Sequence, residues 1–187
     1  MRARYAAVAA ALMTLSGCAV EGHSANSPQC SSVGRPGSPP VFLMAQAVPT
    51  ASLVPCVAAV PAGWAVHSFN ARDGKGDFTL SSDLSGSHAV EVVLTATCDV
   101  RGATRVPTDQ ASTTRFERVI SLDAGYSGIR YYLFPGGCVR YVFHLKGAAR
   151  AAPVNDVSLA VSFVTRDQLR KEISRRSRGQ SQLDPAT

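Results

Sequence analysis

From Gly63 onward, apolar and polar residues alternate in short runs. Trp64 to Phe69 and Asp77 to Ser81 flank "NARDGKG". Asn, Asp and Gly in that stretch supply the positive φ angles a hairpin turn needs. In "HAVEVVLTAT", His88, Val90, Val92 and Leu94 fall on one face, with Ala89, Glu91, Val93 and Thr95 on the other. That is the period of a strand. Phe116, Arg118 and Ile120 alternate in the same way with Glu117, Val119 and Ser121. Ile129 to Phe134 and Cys138 to Leu145 are separated by Pro135-Gly136-Gly137, a turn signal between two strands. Val139, Tyr141, Phe143 and Leu145 share a face and are expected in the core, whereas Arg140 and His144 share the other face with Cys138.

The ends read differently. Between Pro49 and Pro55 the pattern suggests one or two helical turns, with Pro49 in the first turn, where its missing N–H costs nothing. "NDVSLAVSFVT" fits both periods: Val157, Leu159, Val161 and Phe163 for a strand, Val157, Ala160, Val161 and Val164 for a helix. The strand is preferred. Thr165 and Gln168 then form a capping box, and Leu169 and Ile173 lie one turn apart, so a short basic helix follows. The expected fold is α+β: mainly an antiparallel sheet of six to seven short strands, with short helices near both ends. A β-sandwich is the alternative.

Four segments follow: 1–17 as a signal, 18–40 as a tether, 41–178 as one globular domain with a basic C-terminal helix, and 179–187 as a disordered tail. Val20 to Pro40 is rich in Ser, Pro and Gly, a composition that buries too little apolar surface to offset its ordering entropy. Arg2 and Arg4 give a positive start, Ala6 to Leu15 is a mostly apolar run, and Ser16 and Gly17 are small. Such a run is too short to span a bilayer, which takes about 20 residues, and has the three parts of a cleaved export signal. No later apolar run approaches the length of a membrane-spanning helix; Phe42 to Val60 and Val157 to Val164 are broken by prolines or too short.

Leu15-Ser16-Gly17-Cys18 at the end of that run resembles the lipobox of bacterial lipoproteins. The resemblance implies that the Cys18 thiol receives a diacylglycerol group, that the chain is cut before Cys18, and that the mature protein is anchored to a membrane on its extracytoplasmic face without spanning it. Two acyl chains give lasting attachment where one holds only marginally. The remainder, rich in Ala, Arg and Val and with Pro-Gly-Gly-Cys before an aromatic strand, resembles cell-envelope lipoproteins of high-GC bacteria in general style.

The formal charge is +6, and it falls to +4 if Arg2 and Arg4 leave with the signal. Much of the remainder lies between Arg166 and Arg178, a basic stretch that suits either anionic head groups or a solvated helix face. Nucleic acid is not an expected partner for an exported protein. Setting Cys18 aside leaves Cys30, Cys56, Cys98 and Cys138. An even number of cysteines in an oxidising compartment suggests two disulfides, with three connectivities to choose from. The preferred pairing is Cys98 with Cys138 inside the domain and Cys30 with Cys56 tying the tether to it. The four are widely spread without a Cys-x-x-Cys pair, so zinc is not expected.

Signals for chemistry are weak, and neither a cofactor nor a metal is expected. "DGKGDF" opens like a calcium loop at Asp73, but Lys75, Phe78 and Leu84 occupy positions that need an acid, a glycine and a bidentate glutamate. His88 and Glu91 have metal-like spacing only on a helix. The Ser82, Asp83, Ser85, Ser87 and His88 loop is the strongest catalytic candidate, and Arg140, His144 and Tyr131 form a candidate polar pocket. Arg115, Glu117 and Arg118 read as cross-strand ion pairs. The expectation is a non-enzymatic envelope lipoprotein that binds a ligand or an envelope protein or has a structural role. An envelope hydrolase using the Ser82–His88 loop and a carrier of lipid or another small ligand are the rivals.

Overall fold

The alternation on either side of "NARDGKG" becomes a long hairpin. Strands β2 (Trp64–Arg72) and β3 (Lys75–Ser82) pair until only Asp73 and Gly74 remain as the turn, so both strands run further into the motif than composition suggested. β4 (Gly86–Thr95) follows β3 antiparallel, and its partner on the other side is β8 (Gly137–Lys146). β8 in turn pairs with β7 (Gly125–Phe134), β7 with β6 (Thr114–Ser121), and β6 with the short β5 (Thr104–Val106). The result is a seven-stranded antiparallel sheet in the order β2-β3-β4-β8-β7-β6-β5. The computed structural model describes residues 27–32, 40–147, 151–180 and 182–184. Cys18, the expected signal and most of the expected tether lie outside the described residues.

The β7–β8 turn consists of Pro135 and Gly136 alone, since Phe134 pairs with Gly137. Gly136 has φ +71°, and a Cβ there would sit 1.9 Å from the Thr50 carbonyl oxygen. Only glycine meets both demands.

The N-terminal helix falls earlier than the pattern between Pro49 and Pro55 suggested. It is α1 (Pro40–Ala47), and the expected helical stretch instead turns and enters strand β1 (Leu53–Val57). β1 pairs antiparallel with β9 (Val161–Thr165), from Leu53 opposite Thr165 to Val57 opposite Val161. Pro55 is tolerated because β1 carries a full ladder on one side only. The same pairing divides "NDVSLAVSFVT": α2 (Ala151–Ala160) takes the first part and β9 the second, so each of the two periods described half of it. Ladder partners in β1, rather than local propensity, set that boundary.

α3 (Arg166–Ser177) carries the capping box at Thr165 and Gln168, with Leu169 and Ile173 buried as their spacing required. α1 packs on β1, β2 and β3, and α3 packs on β9. The architecture is α+β, with the second sheet reduced to the β1–β9 ribbon. Val139, Tyr141, Phe143 and Leu145 all lie in the core, together with Phe78, Tyr132, Met44 and Leu169. Order also extends past Gly179, where a disordered tail was expected: Leu183 is buried, the Asp184 N–H donates to Gln46 Oε1, and Gln46 Nε2 donates to Asp184 Oδ2.

Cys30 is bonded to Cys56, and Cys98 to Cys138. Both pairs are the ones preferred from sequence. The connection from β4 to β5 must cross the ends of β8, β7 and β6, and Cys98 fastens it to β8 as it passes. Cys30 begins a single 3-10 turn (Cys30–Ser32) and is held beside β1, where Gln29 bridges Val57 and the Val57 N–H donates to Pro28 O at 2.8 Å.

Candidate functional site

The most charge-dense place in the described core lies where β6 and β7 meet α2. Register sets Glu117 opposite Arg130 and Arg115 opposite Tyr132. Arg130 is only 4% exposed. It donates from Nε to Glu117 Oε1 at 2.6 Å and from Nη1 to Ser158 Oγ at 2.6 Å. Its guanidinium carbon stands 5.5 Å from the Phe143 ring centre, a cation–π distance. Arg115 donates to the same Glu117 oxygen at 2.6 Å and approaches Asp109 Oδ1 at 3.4 Å. The Tyr132 hydroxyl donates to Asp109 Oδ1 at 2.8 Å. One network thus pins α2 and the loop before β6 onto the sheet.

Burial alone would raise the Glu117 carboxyl. The hydrogen bond from Arg115 and the charge of Arg130 outweigh it and hold the group below its ordinary value. Burial is the main cause that pushes the Tyr132 phenol well above its ordinary value, with the Asp109 carboxylate adding to it. Near neutral pH the carboxylate therefore stays charged and the phenol neutral, so neither is poised to exchange protons. Two guanidiniums face two carboxylates, which leaves no surplus charge for an ionic ligand. The network is an architectural clamp.

Beside it, the Tyr141 hydroxyl is buried with no hydrogen-bond partner among the described residues. Removing an unsatisfied buried hydroxyl while keeping the ring relieves a desolvation cost. Tyr141→Phe is expected to leave stability unchanged or raise it by up to about 1 kcal/mol, read as an equal or higher urea midpoint at constant slope. A loss of that size would show that the hydroxyl is bonded.

The Ser82–His88 loop is spread over different tasks. Ser82 Oγ accepts from the Leu84 N–H, and buried Ser85 Oγ accepts from the Lys146 N–H at 3.0 Å. The Asp83 carboxylate lies against Gly63. Ser87 Oγ and His88 Nδ1 are 2.9 Å apart, within hydrogen-bond reach, but they are chain neighbours on an exposed surface. Among the described residues no carboxylate bonds the other nitrogen of His88; its ring neighbour is His67, at 5.4 Å. An acid that orients the base is missing from the arrangement.

The candidate polar pocket is an open sheet face. Arg140 stands opposite buried Tyr131, and His144 opposite Ser127. Arg140 and His144 are exposed. Val142 lies between them on the strand, so their Cα atoms are roughly 13 Å apart by strand rise. "DGKGDF" forms the β2–β3 turn and the start of β3, where Lys75 pairs with Asp77 at 2.9 Å along the same strand. Among the described residues no group of three or more His, Cys, Asp or Glu is placed to hold a metal, and no helix is long and apolar enough to cross a membrane.

Two surfaces remain. At one end of the sheet Leu84 and Leu122 are exposed on turns, and Val119 and Ile120 on the adjoining end of β6. Those turns flank the end of β8, where Lys146 bonds Ser85 and the Gly147 N–H donates to Ala124 O. The other surface is α3. A groove runs along it past Cys30, Val164, Gln168, Lys171, Glu172 and Arg175.

Sequence reasoning found Arg115 and Glu117 but not their main partner. It also grouped Arg118 with them, whereas Arg118 lies on the opposite face and donates to Arg101 O at 3.3 Å. Arg130 carried a legible signal: it falls in the same alternating set as Tyr132 and Phe134, which face the core. The closeness of Cys30 to α3 had no local signal, because the β1–β9 ladder creates it.

No protein-family model, no curated protein and no solved structure matches this chain.

Proposed function

We propose that this protein is a lipoprotein of the cell envelope, anchored through Cys18 on the extracytoplasmic face of a membrane, and that its domain binds or braces rather than catalyses. The observation that carries the reading is the use of cysteine. Cys30 is bonded to Cys56 and Cys98 to Cys138. That leaves Cys18 as the one thiol available for acylation, and disulfides suit an oxidising compartment. The charge-balanced clamp and the open Ser87–His88 pair favour a binding role over hydrolysis. Large side chains, Tyr132, Tyr141, Phe143 and Phe78, fill the space over the sheet, which favours a surface partner over an internal lipid chamber. The exposed Leu84, Val119, Ile120 and Leu122 suit an envelope protein as that partner.

The test is metabolic labelling of the full chain with an alkyne fatty acid. The wild type is expected to carry label and to stay in the membrane fraction after a high-salt wash. Cys18→Ala is expected to lose the label and to appear in the soluble fraction. A mature mass that begins elsewhere than Cys18, or label that survives Cys18→Ala, sinks the reading.

A further inference from the structure

We infer that the exposed basic face of α3, centred on Lys171 and Arg175 and continued by the C-cap Arg178, is the surface that rests on an anionic bilayer when the domain is anchored. The inference builds on the anchoring through Cys18 proposed above and goes beyond it, since a lipid on a tether does not by itself orient a domain.

Three observations converge on this face. The first is covalent. Cys30 stands twelve positions after Cys18 and is clamped to Cys56. Buried Ser27 and Pro28 already lie beside β1, where Pro28 O accepts from the Val57 N–H, so the chain between Cys18 and the domain spans at most about 30 Å when fully extended. The second is position. Cys30 lines the same groove as Lys171 and Arg175, so the attachment point adjoins α3. A short leash fixed there holds this face toward the bilayer.

The third is charge. Arg166 to Arg178 holds six basic and two acidic side chains. Arg166 is buried, donating to Ala45 O at 2.7 Å and to Asp184 O at 2.8 Å, which leaves the other five basic groups toward solvent. Asp167 is paired with Arg170, and Glu172 with both Arg175 and Arg176. Lys171 and Arg178 have no acidic partner among the described residues, and both are exposed. The capping box and the buried Leu169 and Ile173 fix the helix, so the charges are presented on a rigid element. Each basic group that reaches an anionic surface raises partitioning about fivefold, within a Debye length.

The test uses the full mature chain carrying Cys18→Ser, with both disulfides formed, so that contact is measured without the lipid. Binding is read by co-sedimentation with vesicles of phosphatidylcholine alone and of phosphatidylcholine with phosphatidylglycerol. Binding is expected only with the anionic lipid, and it should weaken steeply as salt rises. Lys171→Glu with Arg178→Glu is expected to weaken it at least ~25-fold. The same charge change at exposed Arg72 and Arg105, as Arg72→Glu with Arg105→Glu, is expected to leave most of it. Equal losses in the two double variants would overturn the inference, because net charge alone would then explain binding. Failure to bind anionic vesicles also overturns it. So does binding to soluble polyglutamate without vesicle binding, which would indicate an acidic protein partner. Acyl labelling of the wild type separates this outcome from the anchor. A labelled Cys18 with no vesicle contact removes the α3 surface alone, and vesicle contact with an unlabelled Cys18 supports the surface and removes the anchor.

Discussion

Glu117→Gln is expected to destabilise the fold by about 3 kcal/mol, the lower end for breaking a buried ion pair, because its side chain retains some access to water. Glu117 is the acceptor that both Arg115 and Arg130 share. An amide oxygen keeps the shape and part of the hydrogen bonding, but it leaves the guanidinium of Arg130 in the interior without a counter-charge. Urea unfolding reads the effect as a lower midpoint at constant slope. Replacing both partners with apolar residues of similar size, as Glu117→Leu with Arg130→Met, is expected to cost less than the single change, since the buried Arg130 charge is then gone and Arg115 keeps Asp109 as a counter-charge. A loss below about 1 kcal/mol for Glu117→Gln, within the range of an exposed pair, would show that the clamp is solvated. The acid limb gives an independent check. The folded-state pKa of Glu117 is depressed, so its contribution is fully present above the unfolded value near 4.3 and is lost as pH falls through the lower folded value. The wild type should therefore lose stability over that window, and Glu117→Gln should show a shallower loss there.

How much of this was readable in the chain depends on how far apart the deciding residues stand. The β7–β8 hairpin was legible because Pro135-Gly136 and the alternation on either side are local, and they agree with the pairing of Phe134 with Gly137. The capping box of α3 was legible for the same reason. β1 was not, since Leu53 to Val57 is a strand only because β9 lies beside it, and the partners are more than a hundred residues away in sequence. That same distance hid the split of "NDVSLAVSFVT". The clamp was half legible. Arg115 and Glu117 announced charge on a strand, while Asp109 and Ser158 reach it from a loop and a helix that no periodicity connects to β6. The tail was expected to be disordered, because Leu183, one apolar residue among polar neighbours, has no pattern; it is buried beside Asp184, which bonds Gln46 and Arg166. The cysteines were the reverse case. Their pairing is long-range, yet parity and the domain boundary narrowed it to the arrangement observed.

Loss of the second disulfide, as Cys98→Ala with Cys138→Ala, is expected to cost about 4 kcal/mol, more than any other change considered. The two cysteines are 40 positions apart. Closing a loop of that size removes roughly 4 kcal/mol of freedom from the unfolded chain at 25 °C on the chain-entropy account. Native topology adds a reason for the full effect to appear. The β4–β5 connection travels past β8, β7 and β6, and Cys98 to Cys138 is its covalent fastening on the way. β5, three residues long and paired only with β6, depends on that connection being held. The unfolding midpoint should fall steeply, and amide exchange should quicken first in Thr104–Val106 and β6. Opening the other bridge, as Cys30→Ala with Cys56→Ala, closes a shorter loop and should cost slightly less stability. Its distinct consequence is at the membrane. With Cys30 free, only the burial of Ser27 and the bond from the Val57 N–H to Pro28 O hold the chain beside β1, and the lipid-anchored protein proposed above should lose part of its salt-sensitive bilayer contact while keeping its lipid. If both double variants unfold alike and neither alters that contact, the bridges are interchangeable staples and the short leash has no role in orientation.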